Sequence, residues 1–158
     1  MVRLSVPATL QYRDVVLRVV ASVCRLMRLG FGTEGEQEPS RGVRVTDFDD
    51  KVVSAVGEAF NNIAIHAYPG VVPGEARLEL GFERDRLTIQ LSDTGKGFNL
   101  SEELGTGFET LRESHMGLEI IRACMDEVTY RRGEADRPNV LTMIKHYVVR
   151  NGEANPGE

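Results

Sequence analysis

The sequence predicts an α/β protein: a two-layer sandwich whose mixed, mostly antiparallel sheet is covered on one face by helices. Helix-like and strand-like apolar patterns are mixed along the chain, and neighbouring strands follow one another in the manner of hairpins. A doubly wound parallel sheet would need a crossover connection between each pair of adjacent strands. The hairpin pattern therefore favours the two-layer sandwich.

The composition fits one folded domain. The chain has 158 residues, of which 41% are hydrophobic and 27% charged, enough to bury a core. We expect residues 1–150 to form the domain and residues 151–158 to be a flexible tail. The net charge of -5 argues against direct nucleic-acid binding, which normally needs a basic surplus.

The same sequence predicts a cytoplasmic protein. No apolar run approaches the length of a membrane span, and the N-terminus lacks the apolar stretch of a signal peptide. Cys24 and Cys124 lie in helix-like apolar patterns without the spacing of a metal site. We expect both thiols to be buried and reduced.

The first half of the chain predicts a strand and two helices. Residues 2–6 alternate as a short strand, residues 8–29 have helical spacing, and residues 30–42 are rich in Gly and Glu, as in a loop. Asp47 is expected to be the N-cap of a second helix that ends before Pro69-Gly70. The predicted apolar stripe of the first helix is Leu10, Val15, Val16, Val19, Val23 and Leu26.

The first helix is also basic. Residues 3–28 contain a single acidic residue, Asp14, and the arginines Arg3, Arg13, Arg18, Arg25 and Arg28. Two interpretations stay open at this stage: the arginines form the solvated face of a helix, or they form a surface for an acidic protein partner.

The second half predicts most of the sheet. Residues 76–82 and 87–92 are expected to be strands joined by a turn at residues 83–86. Residues 95–115 are rich in glycine and predict a long loop, which in a compact domain is usually a functional lid or disordered. The remaining predicted elements are a helix over residues 116–125 and strands over residues 127–132 and 140–149.

The second helix carries a polar stripe that is poor in charge. At about 100° per residue, Glu58, Asn62 and His66 lie at successive i, i+4 positions. The apolar stripe on another side, which we expect to pack on the sheet, is Val52, Val56, Phe60, Ile63 and Ala67. A solvated face would carry several Lys, Glu or Arg residues, whereas Glu58 is the only formally charged residue over 52–68 apart from a possible charge on His66. The polar stripe therefore indicates the wall of a pocket.

These side chains suit metal and proton chemistry. The carboxamide oxygen of Asn62 is a hard, neutral ligand of the kind that Mg²⁺ accepts. Glu58, one helical turn away, could position a hydroxyl or a water and accept its proton. His66 either joins them or only forms a hydrogen bond near the end of the helix.

A second motif follows a predicted half-buried strand. Asp93 could accept a hydrogen bond from the exocyclic amine of adenine, and Gly95 and Gly97 permit positive φ and leave room for a flat ligand. The pattern alone also describes a common turn. The amides of Met116 and Gly117, expected at the start of a helix, are candidate phosphate donors. Arg112, His115 and Lys96 could add positive charge or be solvated loop residues.

The two motifs resemble the GHKL (Bergerat-fold) ATPase superfamily. Residues 58–68 are similar to its N-box, residues 93–98 to its first glycine box, and residues 115–118 stand at its second. Within that superfamily the chain looks most like the anti-sigma factor serine kinases of bacteria. This similarity runs over nearly the whole chain, including Ser5-Val-Pro-Ala8 and residues 116–128.

The resemblance implies a Bergerat fold with ATP and Mg²⁺ as cofactors. It implies that Asn62 binds Mg²⁺, that Asp93 binds the adenine amine, and that Glu58 is the base for a serine hydroxyl. The other cofactor-binding residues that it implies are His66, Gly95, Gly97, Met116, Gly117 and Leu118. The implied partners are a STAS-domain antagonist that carries the serine and a sigma factor that is held inactive, and the implied assembly is a homodimer.

The chain departs from the superfamily pattern at two places. His115 stands where the second glycine box usually has its first glycine, and Pro138-Asn139 stands where Gly-Thr is common, with Thr142 at a different place. His115 favours an alternative function, a non-catalytic module that binds ATP or nothing and sequesters its partner. A detached histidine-kinase catalytic domain is a further alternative.

Overall fold

A five-stranded antiparallel sheet forms one layer of the protein in the computed structural model, which describes residues 1–31, 45–83, 85–97, 113–134 and 137–146. The strands are β1 (Val2–Pro7), β2 (Glu75–Phe82), β3 (Arg86–Asp93), β4 (Glu127–Arg131) and β5 (Asn139–His146). Their order is β1-β2-β3-β5-β4. The α/β sandwich is confirmed, although every pairing among the described strands is antiparallel rather than mixed.

Helices form the second layer. The elements are a 3₁₀ turn (Leu10–Tyr12), α1 (Arg13–Phe31), α2 (Val45–Asn62) with a π-helical turn (Ile63–Ala67), and α3 (Glu113–Cys124). Within the described ranges, none of these helices has the length and apolar character that crossing a membrane requires. The expected loop at 30–42 lies almost wholly outside the described residues, as do residues 98–112 and the tail at 151–158.

The core lies between α2 and the sheet. Alternate residues of β2 and β3 are buried. These residues are Leu78 and Leu80 on β2, and Leu87, Ile89 and Leu91 on β3. The predicted stripe of α2 is confirmed, because Val52, Val56, Phe60, Ile63 and Ala67 are all buried. Residues between the buried positions of β2 and β3 are exposed or partly exposed, so one face of the sheet receives the helices.

The predicted stripe of α1 is only partly correct. Leu10, Val15 and Leu26 are exposed, whereas Val16 and Val23 are buried. The buried stripe consists of Val16, Val20, Val23, Cys24 and Met27. This set follows the i, i+4, i+7, i+8 spacing of one helix face. The exposed apolar residues lie beside that face, and the prediction wrongly included them in the buried stripe.

Two predicted helix starts are wrong. Helix α2 begins at Val45, so Asp47 lies inside the first turn and its carboxylate binds Lys51 Nζ at 2.8 Å instead of capping the helix. An acidic residue there still faces the positive end of the helix dipole. Helix α3 begins at Glu113 rather than at Met116.

The arginines of the basic segment have different environments. Arg3 forms an exposed ion pair with Glu79 at 3.2 Å. Arg13 donates from Nε to Oδ1 of Asn61 at 3.0 Å, which ties α1 to α2. Arg18 and Arg25 are exposed. Arg13 therefore has a structural role, while the exposure of Arg18 and Arg25 fits both a solvated face and a surface for an acidic partner.

Candidate functional site

Helix α3 approaches the polar stripe of α2 through a glycine. A Cβ atom placed on Gly117 would lie 3.3 Å from Oε2 of Glu58 and 3.6 Å from Oδ1 of Asn62. Gly117 is buried, and both polar residues are partly exposed. The structure thus brings together three residues that the sequence singled out, and the absence of a side chain at Gly117 lets α3 pack closely against the carboxylate and the carboxamide.

The end of α2 is joined to the loop that follows β3. The last carbonyls of a helix have no partner within it, and the Ala67 carbonyl accepts a hydrogen bond from Lys96 N at 2.6 Å. The turn that carries Ala67 is π-helical, a geometry that is rare and often found at functional sites. Through this bond the polar helix and the Asp93 loop are parts of one structure.

Tyr68 makes a second connection between the same two segments. Its hydroxyl accepts a hydrogen bond from Thr94 N at 3.2 Å and lies 3.5 Å from Thr94 Oγ1. The sequence showed Tyr68 only as the end of the first motif. Its structural role is to hold the residue directly after Asp93 against the end of the helix.

Asp93 is a buried carboxylate, 8% exposed, at the end of β3. Its Oδ1 accepts hydrogen bonds from Gly95 N at 2.7 Å and from Asn139 Nδ2 at 3.1 Å. Burial raises the pKa of Asp93 above its ordinary value, while the hydrogen bonds from Asn139 and Gly95 lower it. The two named donors share one oxygen, so a ligand amine would use the other oxygen, Oδ2.

The glycines of the second motif serve close packing rather than positive φ. Neither Gly95 nor Gly97 has positive φ, so the prediction of positive φ at these glycines is wrong, while the predicted room for a flat ligand stays a prediction. A Cβ on Gly95 would lie 2.8 Å from the carbonyl carbon of Ala67 and closer still to its oxygen. A Cβ on Gly97 would lie 2.6 Å from Oδ1 of Asn139. Both positions exclude a side chain because other backbone or buried side chains occupy the space.

Comparison with known proteins identifies the family. A family model described as a histidine kinase-like ATPase domain matches residues 6–145. The chain belongs to the histidine kinase-like ATPase domain family. It is 30% identical over 156 residues to the serine-protein kinase RsbW of Oceanobacillus iheyensis, covering 94% of this chain and 87% of the relative. It is 27% identical over 164 residues to the serine-protein kinase RsbW of Bacillus mycoides, covering 99% and 90% respectively.

These matches confirm the resemblance that the sequence motifs indicated. In this histidine kinase-like ATPase domain the first motif lies on α2 and the second follows β3, and both belong to the matched range. Asn139 lies directly opposite Asp93 in the β3–β5 register. Thr142 pairs with Gln90 instead, which agrees with its expected displacement from the site.

The other predicted site residues have varied positions in this ATPase domain. His66 is exposed, Met116 is 56% exposed, and the Leu118 side chain is buried in the core at 3% exposure. Helix α3 is described from Glu113 onward, so Met116 and Gly117 lie within its first two turns. Lys96 is exposed, and Arg112 and the side chain of His115 lie outside the described residues.

Sequence reasoning missed Asn139 as a site residue. Asn139 is 4% exposed and has the same inward orientation on β5 as Leu141 and Met143. A polar residue in register with inward apolar residues was the available signal. The prediction began this strand at residue 140 and therefore left Asn139 out.

The close contact at Gly95 gives a stability prediction. Gly95→Ala places a methyl group against the Ala67 carbonyl, so we expect the free energy of unfolding to fall by about 1–3 kcal/mol. The matched control is Gly81→Ala, because a Cβ at Gly81 meets nothing within 4 Å. Urea denaturation of both variants provides the measurement. Equal stabilities of the two alanine proteins would contradict the proposed contact.

Proposed function

We propose that the chain is an ATP-dependent serine-protein kinase and anti-sigma factor that binds Mg-ATP between α2, α3 and the Asp93 loop. It would phosphorylate a STAS-domain antagonist on serine and sequester a sigma factor. The observation that carries the proposal is the approach of α3 to Glu58 and Asn62 through Gly117. Similarity to the serine-protein kinases RsbW supports the same activity.

The residues present fit a magnesium nucleotide. Gly117 places no side chain against Glu58 and Asn62, so their oxygen atoms are not pushed aside by α3. Asp93 is a buried acceptor whose Oδ1 is held by Gly95 and Asn139. When bound, Mg²⁺ would neutralise phosphate charge and ATP would supply the phosphoryl group.

Each side chain has a proposed role. Asn62 would bind Mg²⁺ through its carboxamide oxygen. Glu58 would orient the serine hydroxyl and take its proton on a carboxylate oxygen, so that the hydroxyl oxygen can accept the phosphoryl group. Asp93 would accept a hydrogen bond from the adenine amine. The other residues proposed to bind the nucleotide would do so through their position or their backbone atoms. They are His66, Gly95, Gly97, Met116 and Leu118.

The partners and the assembly also belong to the proposal. Arg18 and Arg25 are exposed on α1 and would suit an acidic protein surface, which supports binding of a protein partner. We also propose that the protein acts in the cytoplasm as a homodimer, without direct contact to nucleic acid or membrane. Residues 1–150 would form the ATP-binding domain.

A phosphorylation assay tests the proposal. The purified chain is incubated with Mg-ATP and the STAS-domain protein encoded nearest to it in its genome. Acid-stable phosphate on a serine of the STAS protein is the expected product. Acid-labile phosphate would instead support the histidine-kinase alternative, and absence of transfer despite ATP binding would support the non-catalytic module.

The non-catalytic alternative has one observation in its favour. His115 occupies the position of a glycine in the second glycine box, and α3 already begins at Glu113. Gly117 therefore lies inside a helix and not in a loop that could wrap around phosphates. Binding measurements at millimolar ATP separate the possibilities, because a chain that binds no ATP at that concentration is not a kinase.

Gly117 gives a second prediction. In Gly117→Ala the added methyl lies 3.3 Å from Oε2 of Glu58, so the carboxylate must shift slightly, and we expect phosphoryl transfer to fall by about 3- to 10-fold, less than the roughly 100-fold cost of a 1 Å misplacement. Stability should change by less than about 1 kcal/mol, since alanine has the higher helix propensity.

A helical glycine on α2 is the control for this variant. A Cβ at Gly57 would meet the flexible end of Arg13 at 3.0 Å rather than Glu58. Gly57→Ala should therefore keep most of the transfer activity, as measured by initial rates with radiolabelled ATP. Equal losses of activity in the two alanine proteins would show that crowding of Glu58 is not the cause.

A further inference from the structure

Asn139 is the centre of a buried hydrogen-bond network at the candidate adenine end of the site. Its Nδ2 donates to Asp93 Oδ1 at 3.1 Å and to the Gly95 carbonyl at 3.0 Å. Its Oδ1 accepts from Gly133 N at 2.9 Å. Both N–H groups of the carboxamide thus donate to the Asp93 loop, and its oxygen accepts from the segment after β4.

Two glycines lie close to Asn139, Gly97 against its carboxamide and Gly133 against its backbone. A Cβ on Gly97 would lie 2.6 Å from Asn139 Oδ1, and one on Gly133 would lie 2.9 Å from Asn139 N. The close approach of Gly97 and the three hydrogen bonds together leave the carboxamide little freedom to turn. Such a rigid donor can fix the orientation of the group that it binds.

We propose that Asn139 is a positioning residue that determines adenine specificity by holding Asp93 Oδ1, so that Oδ2 is presented to the exocyclic amine. The inference rests on the proposed nucleotide site. Two donors on Oδ1, Gly95 N and Asn139 Nδ2, oppose rotation of the carboxylate. Without Asn139, the Gly95 amide would be the one remaining donor to Oδ1 among the described residues.

The charge state of Asp93 supports the same role. Burial raises the pKa of Asp93, and the hydrogen bond from Asn139 is the larger of the two influences that lower it. An ionised carboxylate only accepts hydrogen bonds, whereas its protonated form can direct an O–H donor at the amine. Asn139 therefore favours the form of Asp93 that matches adenine.

A pair of isosteric variants tests the inference. Asn139→Thr retains a hydroxyl donor on a β-branched side chain, and Asn139→Val has the same shape without a donor. The readout is the ratio of the Kd for IDP to the Kd for ADP, because inosine has a carbonyl oxygen in place of the amine. Thr142→Val, on the same strand outside the site, is the control.

We expect wild type and Thr142→Val to prefer ADP by about 10- to 100-fold, as for a hydrogen bond to a charged group. Asn139→Thr should keep most of this preference, and Asn139→Val should lower the ratio by about 3- to 10-fold, the worth of one hydrogen bond. A folded valine protein with the wild-type ratio overturns the role of Asn139. Failure of wild type to bind ADP overturns the proposed function itself, which is a distinct result.

A measurement on wild type covers the case in which the valine protein does not fold. The side-chain amide signals of Asn139 are assigned by NMR and followed during titration with ADP and with IDP. We expect ADP to shift these signals and IDP to shift them much less. Equal shifts with the two nucleotides, or no shift with ADP, would overturn the inference.

Discussion

Glu58→Gln is expected to reduce phosphoryl transfer to the STAS protein by about 100- to 10,000-fold, the usual contribution of a general base. Glutamine preserves the size of the side chain beside Gly117 but cannot accept the proton of the serine hydroxyl. Affinity for ADP should remain within about threefold of wild type, because Glu58 is assigned to proton transfer and not to nucleotide binding. Single-turnover transfer and calorimetric titration measure the two quantities.

Glu119→Gln is the matched control for this change. Glu119 is an exposed carboxylate on α3, so its substitution removes the same charge without touching the space at Gly117. It should leave transfer unchanged. Normal transfer by the Glu58→Gln protein would exclude Glu58 as the base, and a parallel loss of ADP binding would indicate a collapsed site.

Asp93→Asn is expected to remove selective ADP binding while preserving the fold. The side-chain oxygen of the new asparagine can replace Oδ1 as the acceptor for Gly95 and Asn139. Its side-chain NH₂ group would then face the adenine amine, and two donors cannot form a hydrogen bond. Losing a hydrogen bond to a charged group costs about 1.5–3 kcal/mol, which corresponds to about 10- to 150-fold in Kd. Asp85→Asn, at an exposed carboxylate in the β2–β3 turn, should bind as wild type does.

Asp93→Asn also tests how the stability of the protein depends on pH. Burial raises the pKa of Asp93, so the folded protein binds this proton more tightly than the unfolded chain. The carboxyl therefore favours folding at acid pH, and this contribution is lost as the pH rises through the folded-state pKa. Asp93→Asn has no carboxyl to titrate at this position. Its free energy of unfolding relative to wild type should therefore increase as the pH rises through the pKa of Asp93 in the folded protein.

Nucleotide binding should respond in the opposite direction. Ionisation of Asp93 creates the acceptor for the amine, so the affinity of wild type for ADP should rise as the pH increases through the same window. The affinity of Asp93→Asn should stay flat. Urea denaturation and calorimetric titration at several pH values test both trends, and a wild-type affinity that does not change with pH would contradict the role of Asp93.

The polar helix and its packing could be predicted because its two faces differ sharply in sequence. The apolar stripe from Val52 to Ala67 is buried as expected, and Glu58 and Asn62 lie on a different side. Helix α1 was less predictable, since Val15 and Leu26 are apolar but exposed, while Val20 and Met27 form the core. Periodicity cannot choose between two apolar faces when the neighbouring elements are unknown.

The tertiary contacts of the site were beyond sequence reasoning. Asn139 and Asp93 are 46 residues apart, and the strand register that joins them is not readable from either segment. The requirement for glycine at Gly95 likewise comes from the Ala67 carbonyl in another element, not from local backbone conformation. Such constraints appear only once the chain is folded.

The central claim is that α2, α3 and the Asp93 loop form one magnesium nucleotide site, and calorimetric titration of the wild-type chain with ADP tests it most directly. We expect one ADP to bind per chain, with higher affinity when Mg²⁺ is present than in EDTA. The absence of binding at millimolar ADP, with or without Mg²⁺, would contradict the claim.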